Sequence, residues 1–218
     1  MIGLSGWRQS SNVFHEQAHE YDSWFKNSLL FEIERNVITK LALPKSDPAL
    51  EIGVGPGRFA QALGSNYGID PAIAPLSLAK DRNVTVCQAI GEELPFRSRT
   101  LVMVSLFFTL CFVQDPKRVL KESYRVLQDG GHLVLGFVPA TGTWGRYLQE
   151  KKDSNHPFYR YARFLTIQEV CTILADQHFS IKSSASGLYQ VPGHVEQLEP
   201  PQDGLDEESG FVALLAEK

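Results

Sequence analysis

A chain of 218 residues with 43% apolar residues and a formal charge of −4 has the size of one ordinary domain, and enough apolar surface to bury a core without disulfides or a structural metal. Its only dense basic stretch, 151–163, is short and interrupted, which speaks against nucleic acid and other polyanions as partners. Three scattered cysteines with no CxxC pair, no apolar run of membrane-spanning length, and Trp7, Arg8 and His15 where a signal peptide needs an apolar core speak against a disulfide framework, a zinc site, a membrane span and secretion, and favour the reducing cytoplasm.

In chain order, residues 1–28 are polar and aromatic, with a short helix expected over 15–25. Leu30, Ile33, Val37, Ile38 and Leu41 repeat at helical spacing, and Pro44 stops that helix. Strands and helices then alternate. Ala49–Ile52 reads as a strand running into the Gly-rich turn 53–57, followed by a helix over Arg58–Leu63. Tyr67–Asp70 is a second strand, Ala72–Lys80 a helix, Val84–Ala89 a third strand and Leu101–Phe107 a fourth, apolar as buried parallel strands are. Asp115 and Pro116 open a helix as N-cap and N1, with Gly130-Gly131 expected to end it before a fifth strand, His132–Val138. Thr166-Ile167-Gln168-Glu169 has the form of a capping box, and the helix after it carries Ile167, Val170, Cys171 and Leu174 on one face. Phe179–Ser184 and Phe211–Ala216 close the chain as strands. Cys87, in mid-strand, and Cys171 read as core. The succession predicts an α/β fold, a mainly parallel sheet with helices on both faces, in a single domain over 1–218 with residues 1–45 as a helical cap. Segments 139–163 and 187–210 lack regular pattern; loops that long in a compact domain usually carry function.

The strongest motif is Glu51-Ile52-Gly53-Val54-Gly55-Pro56-Gly57, a strand entering three glycines and then a helix. Such a turn bends sharply and lets a ligand approach the backbone. The third glycine comes two residues after the second, unlike G-x-G-x-x-G of dinucleotide-binding proteins, and no Lys-Ser or Lys-Thr follows as a phosphate loop requires. The segment resembles motif I of the class I S-adenosylmethionine (SAM)-dependent methyltransferases, in their small-molecule, type 11-like branch. Tyr67-Gly68-Ile69-Asp70 resembles motif II. Gly91-Glu92-Glu93-Leu94-Pro95-Phe96 resembles the segment passing the adenine ring, and Arg125–Leu133 resembles the entry to strand five. The resemblance covers nearly the whole chain. It implies a Rossmann-like, seven-stranded sheet with an antiparallel last strand beside strand five. It further implies methyl transfer by direct displacement, with S-adenosylhomocysteine as product, and a cofactor site of Glu51, Gly53, Gly55, Gly57, Asp70, Pro71, Gly91, Glu92, Phe107 and Tyr21. In that scheme Asp70 takes the ribose hydroxyls and Glu51 aids the methionine ammonium. Two departures stand out: the acid after strand three is either replaced by Ile90 or supplied by Glu92, and no Phe-Asp opens strand four.

The exit of strand four is expected to line the reacting centre: Phe107, Phe108 and Thr109 are candidates for contact with the cofactor's methionine part, and Thr109 and Cys111 for contact with the acceptor, Cys111 being either a reactive thiol or packing. Tyr21-Asp22-Ser23-Trp24-Phe25 resembles the segment that folds over SAM in small-molecule members, with Trp24 facing the acceptor. Tyr159 and Gln190, in the two unpatterned segments, are the remaining candidates for acceptor contact. Six acids and no bases lie between Glu196 and Glu208; they either favour a cationic acceptor or form a solvated loop paired with Lys151 and Lys152. No metal and no general base are assigned. The expected partner is a small molecule, and the expected state a monomer or homodimer. The residues from Thr109 to Pro116 and around Phe158-Tyr159 resemble a bacterial and archaeal subgroup. Competing readings are a non-catalytic SAM-binding protein and a nicotinamide-dependent oxidoreductase.

Overall fold

A computed structural model describes residues 6–44 and 46–218. Helices α1 (Gly6–Glu16), α2 (Ala18–Ser23) and α3 (Leu29–Lys40) precede β1 (Ala49–Ile52), α4 (Arg58–Leu63), β2 (Tyr67–Asp70), α5 (Ile73–Asp81), β3 (Thr85–Gln88) and β4 (Leu101–Phe107). Then come α6 (Pro116–Val126), β5 (Leu127–Phe137), α7 (Thr143–Asp153), α8 (Ile167–Asp176), β6 (Ser180–Gly187), β7 (Gln202–Asp203) and β8 (Phe211–Glu217). The strands form one sheet in the order β3-β2-β1-β4-β5-β8-β6-β7. The first five pair in parallel, while β8 lies antiparallel between β5 and β6. This is the expected mainly parallel sheet with an antiparallel last strand, widened from seven strands to eight by the two-residue β7.

Local chemistry accounts for the element ends. Asp115 caps α6, its carboxylate accepting the Arg118 N–H at 3.1 Å, with Pro116 at the first helical position. Thr166 and Glu169 form the reciprocal capping box of α8. Both faces of the sheet are covered. Leu120 and Val126 of α6 and Val170 and Leu174 of α8 bury against Leu106, Leu133 and Leu214 on one face. Ile33, Val37 and Ile38 of α3 bury against Phe107, Val134 and Phe211 on the other. Among the described residues no helix is long and apolar enough to cross a membrane.

Several expectations need correction. Gly130-Gly131 does not end α6. The helix stops at Val126, and β5 starts at once, bulging so that Leu101 faces Leu127 while Met103 faces His132. The helix expected over 15–25 is two helices, α1 and α2, meeting at Gln17. Segment 139–163 contains α7; it buries only Trp144, Gly145 and Leu148, too few apolar positions to announce a helical period. Cys87 is exposed because β3 is an edge strand, and Cys171 is half-buried at the margin of the core. The acidic run pairs with Lys40 through Asp203 and with Arg146 through Glu208, whereas Lys151 lies over the Tyr147 ring.

Candidate active site

At the C-terminal end of β1 the chain turns back against β2. The Gly53 and Val54 N–H groups both donate to the Ile69 carbonyl, at 2.8 and 2.9 Å. Gly53 has φ +70°, and a Cβ there would fall 2.6 Å from Thr109 Cγ2. Thr109 is itself pinned, its hydroxyl 3.1 Å from the Ile52 carbonyl and 3.0 Å from that of Phe107. The turn and the exit of β4 are thus packed backbone against side chain, with room for no more than hydrogen at residue 53.

Asp70 stands beside this turn at the end of β2. Its Oδ2 accepts the Gly55 N–H at 3.0 Å and its Oδ1 accepts the Ala72 N–H at 2.8 Å. Burial nonetheless pushes its carboxyl up to about 6, against the lowering effect of the two N–H donors. Glu51 is 2% exposed, and its Oε2 has no hydrogen-bond partner among the described residues. Burial, and then the nearby Asp70 charge, raise it well above the ordinary carboxylate range. A buried, unpartnered carboxylate oxygen is costly unless a donor or cation meets it.

These groups line one cavity that opens to solvent. Its wall contains Tyr21, Glu51, Gly53, Gly55, Asp70, Pro71, Gly91, Glu92, Phe107 and Thr109. Gly57 does not reach it; it lies at the start of α4 against Ala79. Of the two residues considered for the position of the acid after β3, Ile90 and Glu92 both line the wall, but Glu92 Oε1 is occupied by the Gln114 and Asp115 N–H groups at 2.8 and 3.2 Å. Trp7, Ser10, Ser11 and Phe14 of α1 complete the roof. Sequence reading missed these four because α1 has only three apolar side chains, Trp7, Val13 and Phe14, too few to mark the face.

Asp22 fastens that roof to the turn. Its carboxylate accepts from Arg58 Nε at 2.8 Å and from Arg82 Nη2 at 3.0 Å, and Arg82 also donates to the Pro56 carbonyl at 2.7 Å. Burial alone would raise the Asp22 carboxyl, but hydrogen bonds and charge from Arg58 and Arg82 outweigh it and hold it below its ordinary value. Its stabilisation is therefore present above the unfolded-state value and lost as pH falls through the lower folded one. Asp22→Ala leaves two guanidinium groups facing each other and is expected to cost about 2 kcal/mol. Thermal unfolding at pH 7 and pH 3 checks this: the deficit should be present at pH 7 and shrink at pH 3. An equal deficit at both would remove the ion triad as its cause.

A second cavity shares Phe14, Tyr21, Phe25, Phe108 and Phe112 with the first. Trp24, Cys111 and Tyr159 line it, together with Trp144, Leu148, Phe158 and Phe164. The Cys111 thiol donates to the Phe108 carbonyl at 3.3 Å, and burial pushes it up to about 12, so it is a packed thiol rather than a thiolate. Gln190 lies outside both cavities. Its amide is used within its own loop, accepting from the Glu196 N–H at 2.9 Å and donating to the Gln197 carbonyl at 2.8 Å. Glu34, which sequence reading passed over, lines the second cavity. The available signal was a carboxylate in the apolar row Leu30, Glu34, Ile38, Leu41 of an amphipathic helix.

A family model described as a methyltransferase domain matches residues 50–135, the stretch from β1 into β5. A Mycobacterium tuberculosis protein of uncharacterised function is 38% identical over 211 residues, 95% of this chain and 74% of the relative. An uncharacterised Methanocaldococcus jannaschii protein is 34% identical over 208 residues, 95% of this chain and 99% of the relative. Among solved structures, a Thermotoga maritima SAM-dependent methyltransferase, described as a possible histamine N-methyltransferase, superimposes with a TM-score of 0.89 at 31% identity, covering 96% of this chain and 99% of that one. With the Gly-rich turn, the acid at the end of β2 and the inserted antiparallel strand all present, this chain belongs to the SAM-dependent methyltransferases, and S-adenosylmethionine is its cofactor.

Proposed function

We propose that the first cavity holds SAM and that the second holds a small-molecule methyl acceptor. The observation that carries this reading is the shared wall: Tyr21, Phe25 and Phe108 border both spaces, so two molecules seated there meet across it. A single domain serves both sites, with residues 6–44, the described part of segment 1–45, as their cap. Within 139–163, Trp144, Leu148, Phe158 and Tyr159 cover the acceptor, while from 187–210 only Leu188 contributes to the wall.

The residues present fit the cofactor. Asp70 offers a carboxylate for the two ribose hydroxyls, and the unpartnered Oε2 of Glu51 suits the ammonium of the methionine part. Gly53 and Gly55 keep the turn free of side chains where the cofactor passes, and Pro71, Ile90 and Gly91 flank the adenine. Phe107 and Thr109 would hold the methionine part, and the Tyr21 ring of the same wall would suit the sulfonium, which aromatic faces favour. Bound SAM supplies an activated methyl on positive sulfur. The chain's own contribution is alignment and exclusion of water by the aromatic wall, with no covalent enzyme intermediate.

Calorimetric titration with SAM tests the reading: no binding at millimolar SAM to folded protein would end it. The pH dependence has a stated sign. Asp70 titrates at about 6 in the cofactor-free protein, and its ionised form is the one that accepts hydrogen bonds. Protons therefore compete with SAM. The affinity should fall by up to about tenfold per pH unit below 6, and the elevated Glu51 acts in the same direction. A dissociation constant unchanged between pH 5 and pH 8 would show that neither carboxylate meets the cofactor.

A further inference from the structure

We propose that the acceptor is an amine with an apolar or aromatic body, bound through its ammonium group by Glu34; this rests on the assignment of the second cavity to the acceptor. Among the described residues lining that cavity Glu34 is the only charged one, and none of them is a lysine, arginine or histidine. It sits at mid-length of α3, half-buried, so the helix termini offer it no compensating dipole. The remaining polar side chains are Ser28, Tyr21, Tyr159 and Cys111. Ser28 is used in capping α3, accepting the Phe31 N–H at 3.3 Å. Burial raises both tyrosine hydroxyls and the thiol, so all three stay neutral at pH 7.

Among the described residues the carboxyl thus has no counterpart. Burial lifts it to about 8, with no neighbouring charge or hydrogen bond acting against that rise. The structure gives no packing reason for an acid here, since the same row of α3 is otherwise apolar. An incoming cation supplies what is missing, and the aromatic walls around it suit both the ammonium and an apolar body.

The proton account is definite. At pH 7 Glu34 is mostly a neutral acid, and a free alkylamine is an ammonium. Forming the ammonium–carboxylate pair therefore releases close to one proton to solvent. Within the pair, one N–H proton passes to the carboxylate and the nitrogen lone pair is freed. That lone pair forms the new C–N bond as the methyl–sulfur bond breaks, and the bonding pair stays on sulfur, which becomes neutral. The product is a methylated ammonium beside the neutral acid of Glu34.

The test uses eight arylalkylamines, from phenethylamine to tryptamine. Each is paired with the neutral alcohol of the same carbon skeleton and titrated calorimetrically into wild type and Glu34→Gln saturated with S-adenosylhomocysteine. The expected result is that at least one amine binds at least about 30-fold more tightly than its alcohol. Glu34→Gln should weaken that amine about 100-fold while leaving its alcohol and the cofactor product within threefold. Labelled SAM should give the N-methylated product of the same amine. Repeating the wild-type titration in buffers of different ionisation enthalpy should show about one proton released, a readout that needs no variant to fold. The proposal is overturned if no amine is preferred over its alcohol, if the preference survives in Glu34→Gln, or if no proton is released. Failure of wild type to bind S-adenosylhomocysteine at all would instead overturn the cofactor assignment on which it rests.

Discussion

Asp70→Asn should bind SAM about 100-fold more weakly than wild type while unfolding at the same or a higher temperature in the absence of cofactor. The two halves of this result have one origin. Asp70 is buried enough that its carboxyl is raised to about 6 despite accepting two backbone N–H groups. Above that pH the charged form is carried at a cost to the folded state, because a carboxyl whose folded value is raised above its unfolded one loses stability as pH rises through that window. The amide is isosteric and uncharged, so it relieves that cost. It cannot replace two charge-assisted hydrogen bonds to a ribose diol, each worth about 1.5–3 kcal/mol. Its NH2 also opposes one of the two backbone donors, a loss that offsets part of the relief in stability. Titration calorimetry and thermal unfolding at pH 8 measure both halves. Binding within threefold of wild type would remove Asp70 from the cofactor site.

Gly53→Ala should be strongly damaging to the cofactor turn. The added carbon would lie 2.6 Å from Thr109 Cγ2, well inside contact distance, and the backbone there is at φ +70°. Left-handed backbone costs a non-glycine residue about 1–2 kcal/mol, and overpacking adds about 1–3 kcal/mol. Thr109 cannot step aside without releasing the carbonyls of Ile52 and Phe107. The turn therefore has to move, and SAM affinity should drop more than 100-fold. Gly64→Ala is the matched control. Its φ is +75° with nothing within 4 Å of the added carbon, so it should lose about 1 kcal/mol and leave SAM binding unchanged. Gly53→Ala/Thr109→Ala should regain part of the lost melting temperature. Wild-type SAM affinity in Gly53→Ala would show that the turn does not contact the cofactor.

The parts of the fold legible in the sequence are those where a local rule acts alone. The bounds of α4, β2 and β4 follow from short apolar runs ended by glycine, Asp70 and the Phe107–Phe108 exit. The α6 and α8 caps follow from Asp115-Pro116 and the Thr166–Glu169 box. Elsewhere tertiary packing overrode the local signal. Gly130-Gly131 looks like a helix stop, but Leu127 had already joined the sheet beside Leu101. Helix α7 buries so few side chains that its period is invisible. In the site, the Gly-rich turn and the acids at 51 and 70 were readable because their spacing is local. The partnership of Asp22 with Arg58 and Arg82 spans 36 and 60 residues, and no sequence window contains it. Glu34 was hidden for a different reason: an acid in an apolar helix row looks like an imperfection until the cavity beside it is known.

The position of β8 between β5 and β6 has a consequence for biosynthesis. The strand that joins these two is the latest of the described strands to leave the ribosome, although its neighbours emerge tens of residues earlier. Until residues 211–217 arrive, β5 and β6 each present an open hydrogen-bonding edge, the arrangement most prone to pairing with another chain. The half of the sheet that carries the cofactor turn is parallel and complete without β8. The nascent protein thus acquires its ligand-binding half first and closes the sheet last, so its exposure to aggregation is concentrated in the interval before the final strand is made.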